Sequence, residues 1–322
     1  MDLAPLLALV KADFDKVDAL IDDCLYSEIP LISELARHLI DSGGKRLRPL
    51  IALLSAKAFN YSGDGHLQLA ASLELIHTAT LLQDDVIDGS LQKKKKKTAN
   101  NLWGNSASVL VGDFLYSRAF QLITQINNSR VLASLANATN ILSQSEILQL
   151  LSCHNTNIDE TYCLKIIQGK TGTLFSIAAE QAAILSHRTE EEISAMANYG
   201  LHLGIAFQLV DDALDYSGST LRLGKRQGDD LAEGKPTLPL IYALQRANAE
   251  QGQLIQKAIS SGGQEHLAAV IAIIKSTKAI EYTHQLAKQH IKQALTHLDF
   301  IADSNYRQAL ATLAKFAVDR NY

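Results

Sequence analysis

The chain has 322 residues, 47% of them apolar and 20% charged, with a formal net charge of −4. This balance is that of a globular protein; it excludes a disordered or fibrous chain and leaves no strong field for nucleic acid or an anionic membrane. Three cysteines, Cys24, Cys153 and Cys163, are odd in number and lack redox or metal-ligand spacing, so they read as buried thiols in a reducing compartment.

The opening Met1-Asp2-Leu3-Ala4-Pro5 has an early acid and lacks the regions of a signal peptide, and no apolar run approaches the ~20 residues that span a bilayer. The expected location is the cytoplasm, with no transmembrane segment. A helix is predicted from near Ile29, with Leu31, Ile32, Leu35, Leu39 and Ile40 at helical spacing, and Gly43-Gly44 ends it. Lys45-Arg46-Leu47-Arg48-Pro49 then forms a tight connection. Ser62 to Gly65 is a loop, after which Leu67, Ala70, Ala71, Leu73 and Leu75 resume the helical period. No proline falls between Pro49 and Pro236, and that stretch, rich in Leu, Ala, Ile, Gln and Ser, predicts consecutive helices. Strand-like alternation is not sustained anywhere, and neither a linker nor an internal repeat is visible. The expectation is an all-α fold in one domain, residues 1–322.

Two acidic clusters stand out within this helical pattern. In Leu81-Leu82-Gln83-Asp84-Asp85-Val86-Ile87-Asp88, a helix places Asp84 and Asp88 one turn apart on one face, with His77 on the same stripe. Asp211-Asp212-Ala213-Leu214-Asp215 repeats the pattern after an apolar approach through Ile205, Ala206, Phe207, Leu209 and Val210, and Gln208 joins its stripe. For one cluster alone, a solvated helix end is as good a reading as a functional one. The duplication favours carboxylates facing across a pocket and holding divalent ions. Hard oxygen donors without thiolates select Mg²⁺ or Mn²⁺ over zinc, and magnesium shares its shell with substrate phosphates. Basic groups alternate with the clusters: Lys45, Arg46 and Arg48, then Lys93 to Lys97, then Lys225 and Lys235 in a glycine-rich loop from Ser217 to Pro236. A diphosphate ligand is therefore expected.

The ordered set Gly43-Gly44-Lys45-Arg46-Leu47-Arg48-Pro49, Asp84-Asp85-Val86-Ile87-Asp88, Phe207-Gln208-Leu209-Val210-Asp211-Asp212-Ala213-Leu214-Asp215 and Gly228-Asp229-Asp230-Leu231-Ala232-Glu233-Gly234-Lys235-Pro236-Thr237-Leu238-Pro239 resembles the trans-isoprenyl diphosphate synthases, nearest the bacterial long-chain members that make octaprenyl quinone side chains. Thr98-Ala99-Asn100, Val109 to Asp113 and Lys170-Thr171 extend the likeness over nearly the whole chain. The resemblance implies an all-helical fold around a central cavity, usually homodimeric, that condenses isopentenyl diphosphate onto an allylic diphosphate such as farnesyl diphosphate. It implies that Asp84, Asp85, Asp88, Asp211, Asp212 and Asp215 bind Mg²⁺, and that Lys170, Lys225 and Lys235 contact the allylic diphosphate. Lys45, Arg48 and His77 match the isopentenyl diphosphate site, with Thr171 and Gln208 near the reacting carbons. Asp84, Asp88, Asp211, Lys170 and Lys225 would carry catalysis by stabilising the departing diphosphate. In this family the released diphosphate takes the final proton, so no side-chain base is assigned.

The chain departs from the family after the first cluster, where Lys93-Lys94-Lys95 replaces Arg-Arg-Gly, Gln83 replaces a common histidine and Gly89 a polar residue. Lys93 and Lys94 keep the charge that faces the two diphosphates but not the bidentate fork. Ala79 and Thr80 stand where short-chain synthases place aromatic blockers, so the product tunnel is expected to be open there. Ile76 lies a turn further, and Phe114, Leu115, Ala119, Leu122 and Ile123 are candidates for the floor. Two other readings are a non-catalytic subunit of a hetero-oligomeric synthase, raised by the lysines, and a class I terpene cyclase, opposed by the isopentenyl site. The intact aspartates favour catalysis.

Overall fold

Proline-free, leucine- and alanine-rich segments coil into seventeen α-helices among the described residues, which in this computed structural model are 3–40, 44–93, 96–217 and 227–319. In chain order these are α1 (Ala4–Leu9), α2 (Lys11–Leu25), α3 (Pro30–Ile40), α4 (Leu47–Ala58), α5 (Gly65–Ile87), α6 (Ala99–Trp103), α7 (Asn105–Gln125), α8 (Ser129–Ser152) and α9 (Glu160–Ile167). Then follow α10 (Thr173–Leu185), α11 (Glu190–Tyr216), α12 (Asp229–Ala232), α13 (Leu238–Arg246), α14 (Ala249–Ser261), α15 (Leu267–Ser276), α16 (Ala279–Thr296) and α17 (Asn305–Val318). Local chemistry marks many of the boundaries. Asn128 caps α8 by accepting from the amides of Arg130 and Val131, and Thr189 with Glu192 forms a capping box at the start of α11.

Two helices organise the rest. Nearly every turn of α5 and of α11 is buried, α5 against α2, α4 and α7, and α11 against α10 and α16. The main core runs through these helices and takes in α17, while α12 to α15 close a smaller core of their own around Tyr216, Leu231, Leu240, Ile255 and Ile274. α10 and α11 approach closely because Gly200 and Gly204 have no side chain. A Cβ on Gly200 would lie 2.2 Å from the Phe175 carbonyl oxygen, and one on Gly204 would lie 2.8 Å from the Cα of Gly172.

Three features differ from the sequence expectation. The lysine run contains a two-residue antiparallel hairpin, β1 (Gln92–Lys93) with β2 (Lys96–Lys97), pairing Gln92 with Lys97 and Lys93 with Lys96. Within the long loop after the second acidic cluster, Asp229–Ala232 forms the short α12. Finally, α11 is by length and composition apolar enough to cross a bilayer, contrary to the expectation of no such run; 56% of its apolar window is buried within the fold, as befits a core helix.

Candidate active site

The first aspartate cluster sits at the C-terminal end of α5. Asp88 caps the helix, its amide donating to the Asp84 carbonyl at 2.8 Å, so the helical register runs on through both residues. Neither carboxylate is simply solvated. The Lys170 ammonium lies 3.2 Å from Asp84 Oδ2, and the Lys235 ammonium 2.9 Å from Asp88 Oδ2. Asp85 is buried, its backbone carbonyl accepting from the Asn100 side chain at 3.0 Å.

Lys170 stands on a π-helical turn, Gln168–Gly172, between α9 and α10. Such turns insert one residue into the helical ladder and recur at functional sites. Two glycines let it press against its neighbours: a Cβ on Gly169 would overlap Ser145 of α8, and one on Gly172 would lie 2.8 Å from Leu201 of α11. The same turn reaches the second cluster. Thr171 donates to Gln208 Oε1 at 2.9 Å, and Gln208 donates in turn to Asp212 Oδ1 at 2.8 Å. Asp215 is buried, and its two carboxylate oxygens accept the amides of Asp229 and Asp230 at 3.3 and 3.2 Å, anchoring α12 and the turn that carries Lys235. Two chains of contacts therefore join the acidic helix ends, one through the π-turn and one through the α12 turn.

A cavity of about 410 Å³ opens beside the first of them, lined by Asp84, Asp88, Lys170 and Lys235 together with Glu146, Gln149, Cys153 and His154 from the C-terminal end of α8 and Glu233. Sequence reasoning missed this wall. Glu146, Gln149 and Cys153 recur at helical spacing and so share a face of one leucine- and serine-rich helix, but that spacing does not say what the face meets. Glu146 Oε2 and Gln149 Oε1 each lie 2.7 Å from the Lys170 ammonium, and Glu233 Oε2 lies 2.6 Å from that of Lys235. Burial pushes the Glu146 carboxyl above its ordinary range. Lys170 and Lys235 are raised despite their burial, because the neighbouring carboxylates favour the charged form.

Further down α5, a second basic site forms around Arg48. Its guanidinium lies over the Phe175 ring, 4.9 Å from the centroid, its Nε is buried with no hydrogen-bond partner, and burial draws its pKa down to about 10. His77 is held well below its usual pKa by burial and by Arg48, so it is neutral at pH 7. Buried Glu74, one turn before His77 and also missed, supplies the opposing charge, and its own carboxyl is raised by burial. Lys45 lies over the Phe316 ring at 5.4 Å, whereas Arg46 turns away to pair with Asp18.

Ile76 and Ala79 are fully buried and Thr80 nearly so; Leu115, Ala119, Leu122 and Ile123 of α7 are buried too, while Phe114 is partly exposed beneath Arg118. α7 comes close at Gly112, where a Cβ would sit 3.4 Å from the Ala79 carbonyl. Gln83 donates to Asp113 at 3.4 Å, and Gly89 takes a φ of +61° suited to glycine. Lys93 belongs to β1, and Lys94 and Lys225 lie outside the described residues.

Among the described residues no three His, Cys, Asp or Glu side chains form a preformed metal cage. Magnesium needs none, since one or two carboxylates, waters and substrate phosphates complete its shell. The carboxylates of Asp84 and Asp88 offer this cavity the hard oxygen donors that fit such an ion, with the Cys153 thiol and the His154 ring in the facing α8 wall.

Residues 29–276 match the sequence pattern of the polyprenyl synthetase family. The chain is 44% identical over 323 residues to the octaprenyl diphosphate synthase of Haemophilus influenzae, covering 100% of this chain and 98% of that protein. It is 42% identical over 322 residues to that of Escherichia coli, covering all of both. Its fold superposes with a TM-score of 0.95 and 41% identity on a polyprenyl synthase from Caulobacter crescentus crystallised with calcium and isoprenyl diphosphate, covering 99% of this chain and 98% of that one. The lysine-paired aspartates at the end of α5, the second aspartate cluster on α11, the basic site around Arg48 and full-length similarity lead to one conclusion: the chain belongs to the polyprenyl synthetase family.

Proposed function

We infer that the protein is a long-chain trans-polyprenyl diphosphate synthase that adds isopentenyl diphosphate to an allylic diphosphate, farnesyl diphosphate or similar, and gives an octaprenyl-type product for quinone side chains. The observation that carries this reading is the division of the site. Lys170 and Lys235 stand over the aspartates at the end of α5, and Arg48 with His77 forms a separate anion site further along the same helix. Two diphosphates have two places, and a cyclase would need only one.

Magnesium, or manganese in its place, would be held by Asp84, Asp88 and Asp211, with Asp85, Asp212 and Asp215 beside them, and when bound supplies positive charge to the diphosphate that departs. The protein's own residues do the rest. Lys170 and Lys235, with Lys225, bind the allylic diphosphate and stabilise its growing charge in a cavity partly closed to water. Arg48, Lys45 and neutral His77 orient isopentenyl diphosphate, and the orphaned Arg48 Nε is a donor ready for one of its oxygens. Thr171 and Gln208 line the path between the two, and the short side chains of Ala79 and Thr80 leave room for a lengthening product.

A homodimer is part of this reading. Ile141, Ile147, Leu150 and Leu151 of α8 and Val109 and Leu110 of α7 are exposed, Leu110 and Leu151 each at 67%. An apolar face on two adjacent helices suits a second copy of the chain. Three free cysteines, two of them buried, accord with work in the cytoplasm. Incubation of the pure protein with isopentenyl diphosphate, farnesyl diphosphate and Mg²⁺, followed by chromatography of the dephosphorylated products, tests the activity. Elongation that EDTA abolishes is the expected result. Its absence with metal present would count against the reading.

A further inference from the structure

We propose that the C-terminal end of α8 is the frame that positions both lysines of the allylic site: Glu146 and Gln149 orient Lys170, and His154 holds the turn that carries Lys235. The proposal rests on the function inferred above and names residues to which no role was assigned.

An ammonium has three protons to donate. At Lys170 two go to α8, to Glu146 Oε2 and Gln149 Oε1 at 2.7 Å each, and Asp84 Oδ2 is the third acceptor at 3.2 Å. Glu146 and Gln149 are one helical turn apart on the same face of α8, so they grip the ammonium from one side. The shorter pair of contacts fixes the side chain. The longer one faces Asp84, where an anionic ligand would compete for the same proton.

The chain leaves α8 through His154, which adopts a left-handed φ of +62°. That conformation is uncommon for a residue other than glycine. It lets His154 bond on both sides at once. Its amide donates to the Gly234 carbonyl at 2.8 Å, and its ring Nδ1 donates to the Ile259 carbonyl at 3.0 Å, on α14. The ring covers Gly234 so closely that a Cβ there would lie 2.3 Å from Nδ1. Gly234 itself has a φ of +67°, and the next residue is Lys235, whose amide donates to the Asp230 carbonyl at 2.8 Å. The direction of the Lys235 side chain toward Asp88 is set from this turn. One helix end thus locates two cations that face the two aspartates of α5.

The test uses the full chain and four variants. Gln149→Leu removes an acceptor of the Lys170 ammonium, and His154→Ala removes the ring with its bond to Ile259 and its cover over Gly234 while the backbone bond to Gly234 stays. Gln149→Glu keeps an acceptor oxygen, and His154→Asn keeps a donor and tolerates the left-handed backbone. With Mg²⁺, removing either contact is expected to raise KM for farnesyl diphosphate at least tenfold and to leave KM for isopentenyl diphosphate within twofold, while Gln149→Glu and His154→Asn restore most of the affinity. In hydrogen exchange, His154→Ala should speed the amides of 228–235 at least tenfold and His154→Asn should not. The proposal is overturned if both KM values rise together, if neither moves, or if exchange in 228–235 is unchanged. Failure of the wild-type protein to elongate would instead overturn the function itself, and the exchange measurement judges the frame without turnover.

Discussion

Gly204→Ala tests whether the close approach of α11 to the π-turn is what sets the site. The added methyl would lie 2.8 Å from the Cα of Gly172 and 3.1 Å from the Cβ of Phe175. Carbon atoms prefer about 3.5–4.0 Å, so the shortfall is roughly 0.7 Å or more. The nearest obstacle is backbone, so no side-chain rotation relieves it, and the π-turn must move away from α11. Overpacking of this kind costs about 1–3 kcal/mol, and alanine recovers about 1 kcal/mol of helix propensity over glycine. The net loss is therefore about 0–2 kcal/mol. With roughly 2.1 cal/mol/K of unfolding entropy per residue, a chain of this length would lose about 3 °C of Tm at most. The turn carries Lys170 and Thr171, and a displacement near 1 Å at a reacting centre costs on the order of 10²-fold in rate. Incorporation of labelled isopentenyl diphosphate onto farnesyl diphosphate, with calorimetry on the same sample, measures both. A kcat within threefold of wild type, at an unchanged Tm, would refute the reasoning.

Other substitutions address the remaining parts of the site. Ala79 lies five residues before Asp84, roughly 7.5 Å along the helix; Ala79→Tyr is expected to shorten the products, and an unchanged chromatogram would remove Ala79 from the tunnel. Lys93→Arg with Lys94→Arg should restore forked donors and lower KM for both diphosphates several-fold, which initial-rate kinetics would reveal. His202 and His290 share a 2.9 Å contact between their Nδ1 atoms, and burial with the neighbouring imidazole lowers His290 to about 4. Because the unfolded chain takes up this proton near pH 6.5, folding stability should fall as the pH drops from about 6.5 toward 4. In melts across that range, His290→Gln should flatten the fall; an unaltered slope would show that the pair does not report on folding.

The all-α pattern, the helix start near Ile29, the loop at Ser62 to Gly65 and the two aspartate clusters were readable because their signals are local. Proline spacing, the 3.6-residue period and glycine-bounded turns such as Gly43-Gly44 act within a turn or two of the chain. The likeness in motif order extended that reading to Lys170 and Lys235. Glu146, Gln149 and His154 were not readable in the same way. Their importance comes from Lys170 and Gly234, 24 and 80 residues away, and no period in α8 says which of its polar residues meets a cation. The hairpin in the lysine run also escaped, since two residues per strand leave no alternation to detect.

The amino-acid sequence alone determined that this is an all-α chain of the polyprenyl synthase type, with paired aspartates and a basic segment before them, because these depend on residue type and order. Only the tertiary structure decided how they meet. The π-turn at Gln168–Gly172, wedged between α8 and α11 by its glycines, brings Lys170 to Asp84 and Thr171 to Gln208, and the α12 turn brings Lys235 to Asp88. These contacts exist because distant helices pack closely, and close packing is a property of the folded whole.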